Sequence, residues 1–290
     1  VRLAVFRGGF DRAAFDAVTG AAVQALVSLL DKSLVWEHDP RLFQVHALLR
    51  QFALERLQAD PARCEGAQAA HSRHYAQRAE RCGARLWGED QLAALDELGQ
   101  ALENARAAWQ AALALGSEDA LEQLVDPLSR FFDLRSRYQE GVTTFGGALD
   151  ALEAGGHAEG LLYARVLARQ GVFFLHQGEF DRSRRALERA IALLERHDAA
   201  GEAARARNSL GEVLFAQGQD DDAQRALEVG LETFAGLDDE TGMGTAKNNL
   251  ANLAWRRGDY ETAQQLHEAA LALQRRQGDA WGMASSLNNL

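Results

Sequence analysis

The chain has 290 residues, 47% hydrophobic and 25% charged, with a formal net charge of −11. That acidic balance disfavours nonspecific binding to nucleic acid or to an anionic membrane. No apolar run approaches the ~20 residues of a membrane span, and no signal peptide precedes the first helix. Only three prolines interrupt a sequence rich in Ala, Leu, Glu, Gln and Arg, a composition that favours helix. The two cysteines, Cys64 and Cys82, lack metal or redox spacing and read as reduced thiols, so a cytoplasmic location is expected. The chain opens at Val1 and stops inside a repeat at Leu290, as a piece of a longer protein would.

In chain order, Leu3-Ala-Val-Phe-Arg-Gly-Gly-Phe reads as a helix end closed by Gly8 and Gly9. Asp11 is placed to cap a short helix over 12–17, and Gly20 precedes an apolar helix over 21–30. Leu34-Val-Trp-Glu and Leu42-Phe-Gln-Val are β-type runs around the turn signal His38-Asp-Pro-Arg. His46 opens a further helix with Leu48, Leu49, Phe52, Ala53 and Leu57 on one stripe. Helices, a two-stranded wing and a closing helix predict a winged helix-turn-helix domain over 1–58. Its second helix offers Gln24 and no cation before Lys32, which argues against reading DNA base edges.

Three segments of this region, Leu3-Ala-Val-Phe-Arg-Gly-Gly-Phe, Leu30-Asp-Lys-Ser-Leu-Val and Phe43-Gln-Val-His-Ala-Leu-Leu-Arg-Gln-Phe-Ala-Leu-Glu-Arg-Leu57, resemble the winged-helix domain of STAND signalling ATPases. The resemblance is nearest to bacterial NB-ARC-type regulators that carry tetratricopeptide (TPR) arrays. In that family a Met-His-Asp motif sets a histidine against the β-phosphate of ADP, and Val45-His46-Ala47 stands in its place. The resemblance therefore implies His46 as a nucleotide phosphate sensor, although Val45 replaces the Met and Ala47 the acid. It also implies ATP or ADP as cofactor of the full-length protein, a nucleotide-binding module in cis, and oligomerisation on activation. No Gly-x-x-x-x-Gly-Lys-Ser/Thr phosphate loop occurs in the 290 residues, so this chain by itself is expected to bind no nucleotide and to be no enzyme.

Residues 59–116 read as connecting helices. Asp60-Pro61 ends the closing helix, and a long helix over 62–86 carries His71, His74, Cys64 and Cys82. The cysteines lie about two turns from the histidines, too far along the helix to converge on one metal. A second helix, over 90–115, contains Leu98-Gly-Gln-Ala-Leu-Glu-Asn-Ala-Arg-Ala-Ala-Trp, similar to the segment that precedes the TPR array in those regulators.

From 117 to 290 the chain becomes periodic. A first helix pair, over 121–135 and 138–152, leads to a joint at Gly155-Gly156. Then Gly178, Gly218 and Gly258 recur every forty residues, followed by Phe180, Asp220 and Tyr260, and by the small residues Ser183, Ala223 and Ala263. A fixed period of two helical halves predicts a stacked α-α superhelix. HEAT-like repeats share the length, but the Gly–aromatic–small spacing resembles TPR. The core stripe is Val166, Phe173 and Phe174, repeated as Ala206, Val213 and Leu214, then Ala246, Leu253 and Ala254, with Leu210 and Leu250 at its centre. The fold class expected is thus mainly α, a winged helix followed by a TPR-like array.

The opposite face of the first helices carries the candidate ligand-binding residues: Arg205, Asn208, Glu212 and Phe215, then Asn248, Asn249, Asn252, Trp255 and Arg256, and Asn288 at the end. An asparagine amide both donates and accepts, matching a peptide backbone whatever its side chains. The same asparagines serve equally as a ladder between neighbouring helices, and both roles stand open at the level of sequence. The function expected is the sensor region of a STAND-type NTPase, its repeats holding a protein or peptide ligand. The alternative is a plain TPR adaptor without a nucleotide switch. No nucleic acid, membrane or metal partner is expected.

Overall fold

The computed structural model describes residues 1–39, 42–88 and 90–289, mainly as helix. The chain divides into two compact units, one of Val1–Leu86 with Leu92–Phe131, the other of Trp87–Gln91 with Phe132–Leu290.

The first unit opens with a 3-10 turn, Arg2–Val5, then α1 (Arg12–Thr19) and α2 (Val23–Asp31). The Asp11 carboxylate accepts the Ala14 N–H at 2.8 Å, as a cap should, and Gly20 closes α1 in the left-handed region. Strands β1 (Val35–Asp39) and β2 (Leu42–Val45) pair antiparallel, with Val35 opposite Val45 and Trp36 opposite Gln44. The expected turn between them includes Pro40 and Arg41, which lie outside the described residues. The Gly8-Gly9 expectation needs correction. The 3-10 turn stops at Val5, Phe6 is extended, and neither glycine has positive φ. The segment instead delivers Phe10 to a bridge with Phe43, their backbones exchanging hydrogen bonds of 2.9 and 2.8 Å.

Helices α3 (Ala47–Gln58), α4 (Pro61–Arg85), α5 (Gln91–Leu115) and most of α6 (Glu118–Leu134) complete this unit. Phe6, Phe10 and Phe15 are fully buried with Tyr75 and Trp109, and each phenylalanine contributes about 1.5–3 kcal/mol of transfer free energy. Close approach of α4 to α6 depends on Gly83, where a Cβ would come within 2.7 Å of Pro127. The stripe expected on α3 splits. Leu57 is buried, but Leu48 is 72% and Phe52 54% exposed. The 3-10 turn and α4 cover only one side of α3, so the other half of its apolar residues faces outward, with the Arg56 guanidinium over the Phe52 ring.

In the second unit α7 (Tyr138–Ala154) precedes three helix pairs: α8 (Leu161–His176) with α9 (Phe180–Arg196), α10 (Ala200–Ala216) with α11 (Asp220–Gly236), and α12 (Glu240–Arg256) with α13 (Tyr260–Gln277). A final helix, α14 (Ala280–Asn289), packs on α12 and α13. Each pair turns through a glycine whose φ is +75°, +74° or +82° at Gly178, Gly218 and Gly258, a conformation costly for any side chain. The turns between pairs are equally regular, with Asp198, Asp238 and Gly278 in the left-handed region. Ser183, Ala223 and Ala263 are buried where the paired helices meet, and the Ser183 hydroxyl donates to the Gly171 carbonyl at 2.7 Å. The core stripe is buried as read from the sequence, except that Leu210, Leu250 and Ala254 are half-buried. Leu210 lines a surface cleft of about 460 Å³ with Ile191 and Val229 rather than the centre of the stack.

Candidate functional site on the first helices

Within the second unit the first helices α8, α10, α12 and α14 contact one another in succession, so their outward residues form one continuous face. The repeat places Ala168, Asn208 and Asn248 at one register, Val172, Glu212 and Asn252 a turn later, and Leu175, Phe215 and Trp255 beyond.

Most of the polar residues on this face bond along the stack. Asn249 donates to Glu212 Oε1 at 2.8 Å, and Asn208 donates to the same oxygen at 3.3 Å. Asn252 Oδ1 accepts from Asn289 at 3.1 Å. Asn248, 8% exposed, accepts at Oδ1 from His267 Nδ1 at 2.9 Å and from the Ser286 hydroxyl at 3.3 Å. Asn208, 5% exposed, has no such neighbours at the matching positions, which are Leu227 and Ala246, and its Oδ1 lacks a partner. These two asparagines therefore lie between helices rather than on the open face. Arg205 pairs with Asp239 at 2.7 Å, and Arg165 with Glu202 at 3.0 Å. Arg256 pairs with Asp220 and covers the Phe215 ring. Trp255 remains 62% exposed, edge-on to Tyr260 with ring centres 6.4 Å apart, and Asn288 is exposed.

At the start of the array, His176 Nε2 lies 3.3 Å from Asp133 Oδ1, and its ring stacks on Tyr138 at 4.7 Å. Burial alone would lower the His176 pKa, but the Asp133 hydrogen bond and the charges of Asp133 and Glu212 raise it. Glu212 is desolvated enough to lift its carboxyl above the usual range, against the opposing effect of Asn249 and His176.

His46 lies in the first unit. It caps α3, its Nδ1 accepting the Leu48 N–H at 3.3 Å, and its ring centre is 6.0 Å from that of Trp36. It lines a cavity of about 520 Å³ with Arg7, Trp36, Arg50 and Glu103. Arg50 Nη1 is buried and has no hydrogen-bond partner among the described residues, and neither arginine was singled out by sequence. Sequence reasoning also missed Asn104. Its Oδ1 accepts the Arg7 N–H at 2.8 Å and faces His71 Nε2 at 3.1 Å, while its Nδ2 donates to the Gly9 carbonyl at 2.9 Å. Burial lowers the His71 pKa to about 4, so a neutral ring donates to Asn104. Asn104 stands inside the quoted 98–109 segment, but nothing local marks a partner about a hundred residues away.

A tetratricopeptide repeat family profile matches residues 244–276. No curated protein sequence matches the chain. Among solved structures, the chain is similar to BtubC (BKLC) from P. vanneervenii, with 17% identity and a TM-score of 0.52, covering 88% of this chain and 92% of that one. It is also similar to the apo form of RapI, with 11% identity, a TM-score of 0.51 and coverage of 96% and 70%. A Signal Transduction ATPase with Numerous Domains (STAND) protein with a tetratricopeptide repeat sensor, from Pyrococcus horikoshii, aligns at 14% identity and a TM-score of 0.45, over 99% of this chain and 60% of that one. The repeat profile and the likenesses to BtubC and RapI agree with a mainly helical repeat array of TPR type. No single helix among the described residues is long and apolar enough to cross a membrane.

Proposed function

We propose that this chain is the partner-sensing region of a STAND-type signalling ATPase. Its repeats hold a protein or peptide segment on the first-helix face, and residues 1–58, as a winged helix, transmit that event to a nucleotide-binding module. TPR arrays typically engage protein or peptide partners, and the observation that carries the binding half of the reading is Trp255. An indole this exposed, braced by Tyr260 on a face otherwise occupied by internal bonds, is the kind of anchor that concentrates binding energy. The nucleotide half is supported by the motifs of residues 3–10, 30–35 and 43–57 and by the His46 cavity, where Arg7 and Arg50 outnumber the one carboxylate, Glu103, and leave positive charge suited to a phosphate.

Pull-down from lysate with the wild-type chain and with Trp255→Ala tests the first half. The partner should be lost with the variant while the melt is unchanged, and equal retention by both would sink it. For the second half, Mg-ATP should leave the melting temperature of residues 1–290 unmoved, because no phosphate loop is present. An ATP-dependent rise would instead make this chain its own nucleotide module. An adaptor without a switch uses the same face, and is favoured to the extent that changing His46 and Arg50 leaves signalling by the intact protein unaltered.

A further inference from the structure

We propose that the corner formed by Trp255, Tyr260 and Glu261 is a docking site for a dibasic segment of a partner protein, an arginine followed by a second cation. The proposal rests on the reading of the first-helix face above, whose anchor is Trp255, and adds the chemistry of the ligand. The repeats themselves supply the template. At three junctions the end of a first helix reaches back to the start of the preceding second helix. Gln177 meets Gln139 at 2.9 Å, Gln217 donates to Asp181 at 3.0 Å, and Arg257 donates to Asp221 at 2.7 Å. One residue earlier in the chain, His176 stacks on Tyr138, and the Arg256 guanidinium covers the Phe215 ring and reaches Asp220. An Arg-Arg pair is thus read once within this molecule, by a ring, a carbonyl, two acids and the Gln224 amide.

Forty residues on, the receiving positions recur, with Trp255 for Phe215, Tyr260 for Asp220, Glu261 for Asp221 and Gln264 for Gln224. Their local bonding is the same. Gln264 donates to Glu268 at 2.8 Å as Gln224 does to Glu228 at 2.7 Å, an arrangement in which Gln224 Oε1 accepts from Arg257. The Trp255 carbonyl accepts the Gly258 N–H at 3.0 Å, as the Phe215 carbonyl accepts that of Gly218 while also taking the Arg256 N–H. This second copy is open to solvent: Trp255 is 62% and Tyr260 65% exposed, and Glu261 and Gln264 are exposed.

Charge completes the match. The carboxylates around this corner are Asp259, Glu261 and Glu268, which accept from the Thr262 N–H, Gln265 and Gln264. Among the described residues none of the three is paired with a cation. The neighbouring cations of α12, Arg256 and Arg257, are turned to Asp220 and Asp221 of α11, and α14 carries no charged residue. Tyr260 in place of Asp220 sets a second ring beside Trp255, which suits a flat guanidinium better than a compact ammonium. Glu261 then takes the second cation as Asp221 takes Arg257.

The test is fluorescence anisotropy of labelled Gly/Ser peptides carrying Arg-Arg, Lys-Lys or Glu-Glu, titrated with residues 1–290. Arg-Arg should bind at least about tenfold tighter than Glu-Glu, and about threefold tighter than Lys-Lys. Trp255→Ala should erase the preference for arginine over lysine, and Glu261→Gln should weaken both basic probes. Both side chains are exposed, so the melts should not move. Glu188→Gln, at an exposed carboxylate of α9, should leave both preferences intact. Equal binding of the three probes, or an Arg-Arg preference insensitive to Trp255→Ala and Glu261→Gln, would overturn the proposal. So would dimerisation in sedimentation velocity that Trp255→Ala abolishes, since a second copy would then be the occupant. Loss of Arg-Arg binding in the intact protein would assign the corner to a segment in cis, and would overturn it too. If Trp255→Ala loses the lysate partner but no probe is preferred, the first-helix reading survives and the dibasic assignment falls.

Discussion

The Arg256 guanidinium lies over the Phe215 ring, its carbon 3.5 Å from the ring centre, and donates an N–H to the Phe215 carbonyl at 2.6 Å. It also reaches Asp220 in the preceding repeat. Two repeats earlier, His176 makes the same kind of bracket with the parts exchanged, its ring stacked on Tyr138 and its nitrogen turned to Asp133. The middle junction has Ala216 at this position and no bracket. Replacing Arg256 by Ala should destabilise the array by about 1 kcal/mol, since the pair is partly exposed. Arg256→Lys should recover little of it, because an ammonium cannot lie flat on a ring. Denaturant melts of both variants measure this, and an unchanged Arg256→Ala midpoint would show that the bracket is incidental.

The two buried asparagines should behave differently. Asn248→Ala strands the buried His267 Nδ1, while the Ser286 hydroxyl keeps Gln274 Oε1 at 2.8 Å, and should cost about 1–3 kcal/mol. Asn208→Ala removes a half-satisfied amide and one bond of 3.3 Å, and should be within about 0.5 kcal/mol of neutral. Chemical denaturation of the pair tests the contrast. Equal losses would mean that burial, not partnering, sets the cost.

A compensating exchange is written into the repeats. A Cβ on Gly171 or Gly211 would come within 2.9 or 2.6 Å of Leu187 or Leu227, whereas the third repeat has Ala251 and His267 at these positions. Gly211→Ala should cost about 1–3 kcal/mol from overpacking. Adding Leu227→His should return part of that loss, since it removes the clash and gives Asn208 a donor. A double-mutant cycle showing coupling below about 0.3 kcal/mol would refute the exchange.

The surroundings of His71 and of His176 should respond to pH in opposite directions. Burial holds the His71 pKa near 4, below its ordinary 6.5, so between these values the unfolded chain binds the extra proton and stability falls on acidification. The full effect in the first unit is roughly 3 kcal/mol. The His176 pKa is raised, so its contribution is complete below 6.5 and is lost as pH climbs through the raised value. Hydrogen exchange read on α5 and on α8 at pH 5 and pH 8 separates the two. Parallel shifts would contradict the assignment, and His176→Gln should flatten the second response.

The repeat, its turn glycines and its small contact residues were legible because periodicity reports equivalent positions directly. Contacts between non-equivalent positions were not. Arg256 with Phe215, and Asn249 with Glu212, join residues 41 and 37 apart across a junction. An alignment of copies puts each of these on the same face without saying that they touch. Hence a set read as ligand contacts contains several that hold the stack together. The α3 stripe failed for another reason. Helical spacing fixes which residues share a face, but only the neighbours decide whether both apolar sides are covered, and Leu48 and Phe52 are not.

Asn104 has a consequence for the order in which the chain takes shape. It fixes the backbone of Arg7 and Gly9, residues 97 and 95 positions upstream. During synthesis residues 7–9 must wait for one of the later helices before the Arg7 N–H and the Gly9 C=O are satisfied, a long loop to close. Each helical repeat, by contrast, closes on contacts such as Ser183 to Gly171, only 12 residues apart. The array can therefore assemble pair by pair as it is made, whereas residues 7–9 are held only once α5, made well after them, has formed.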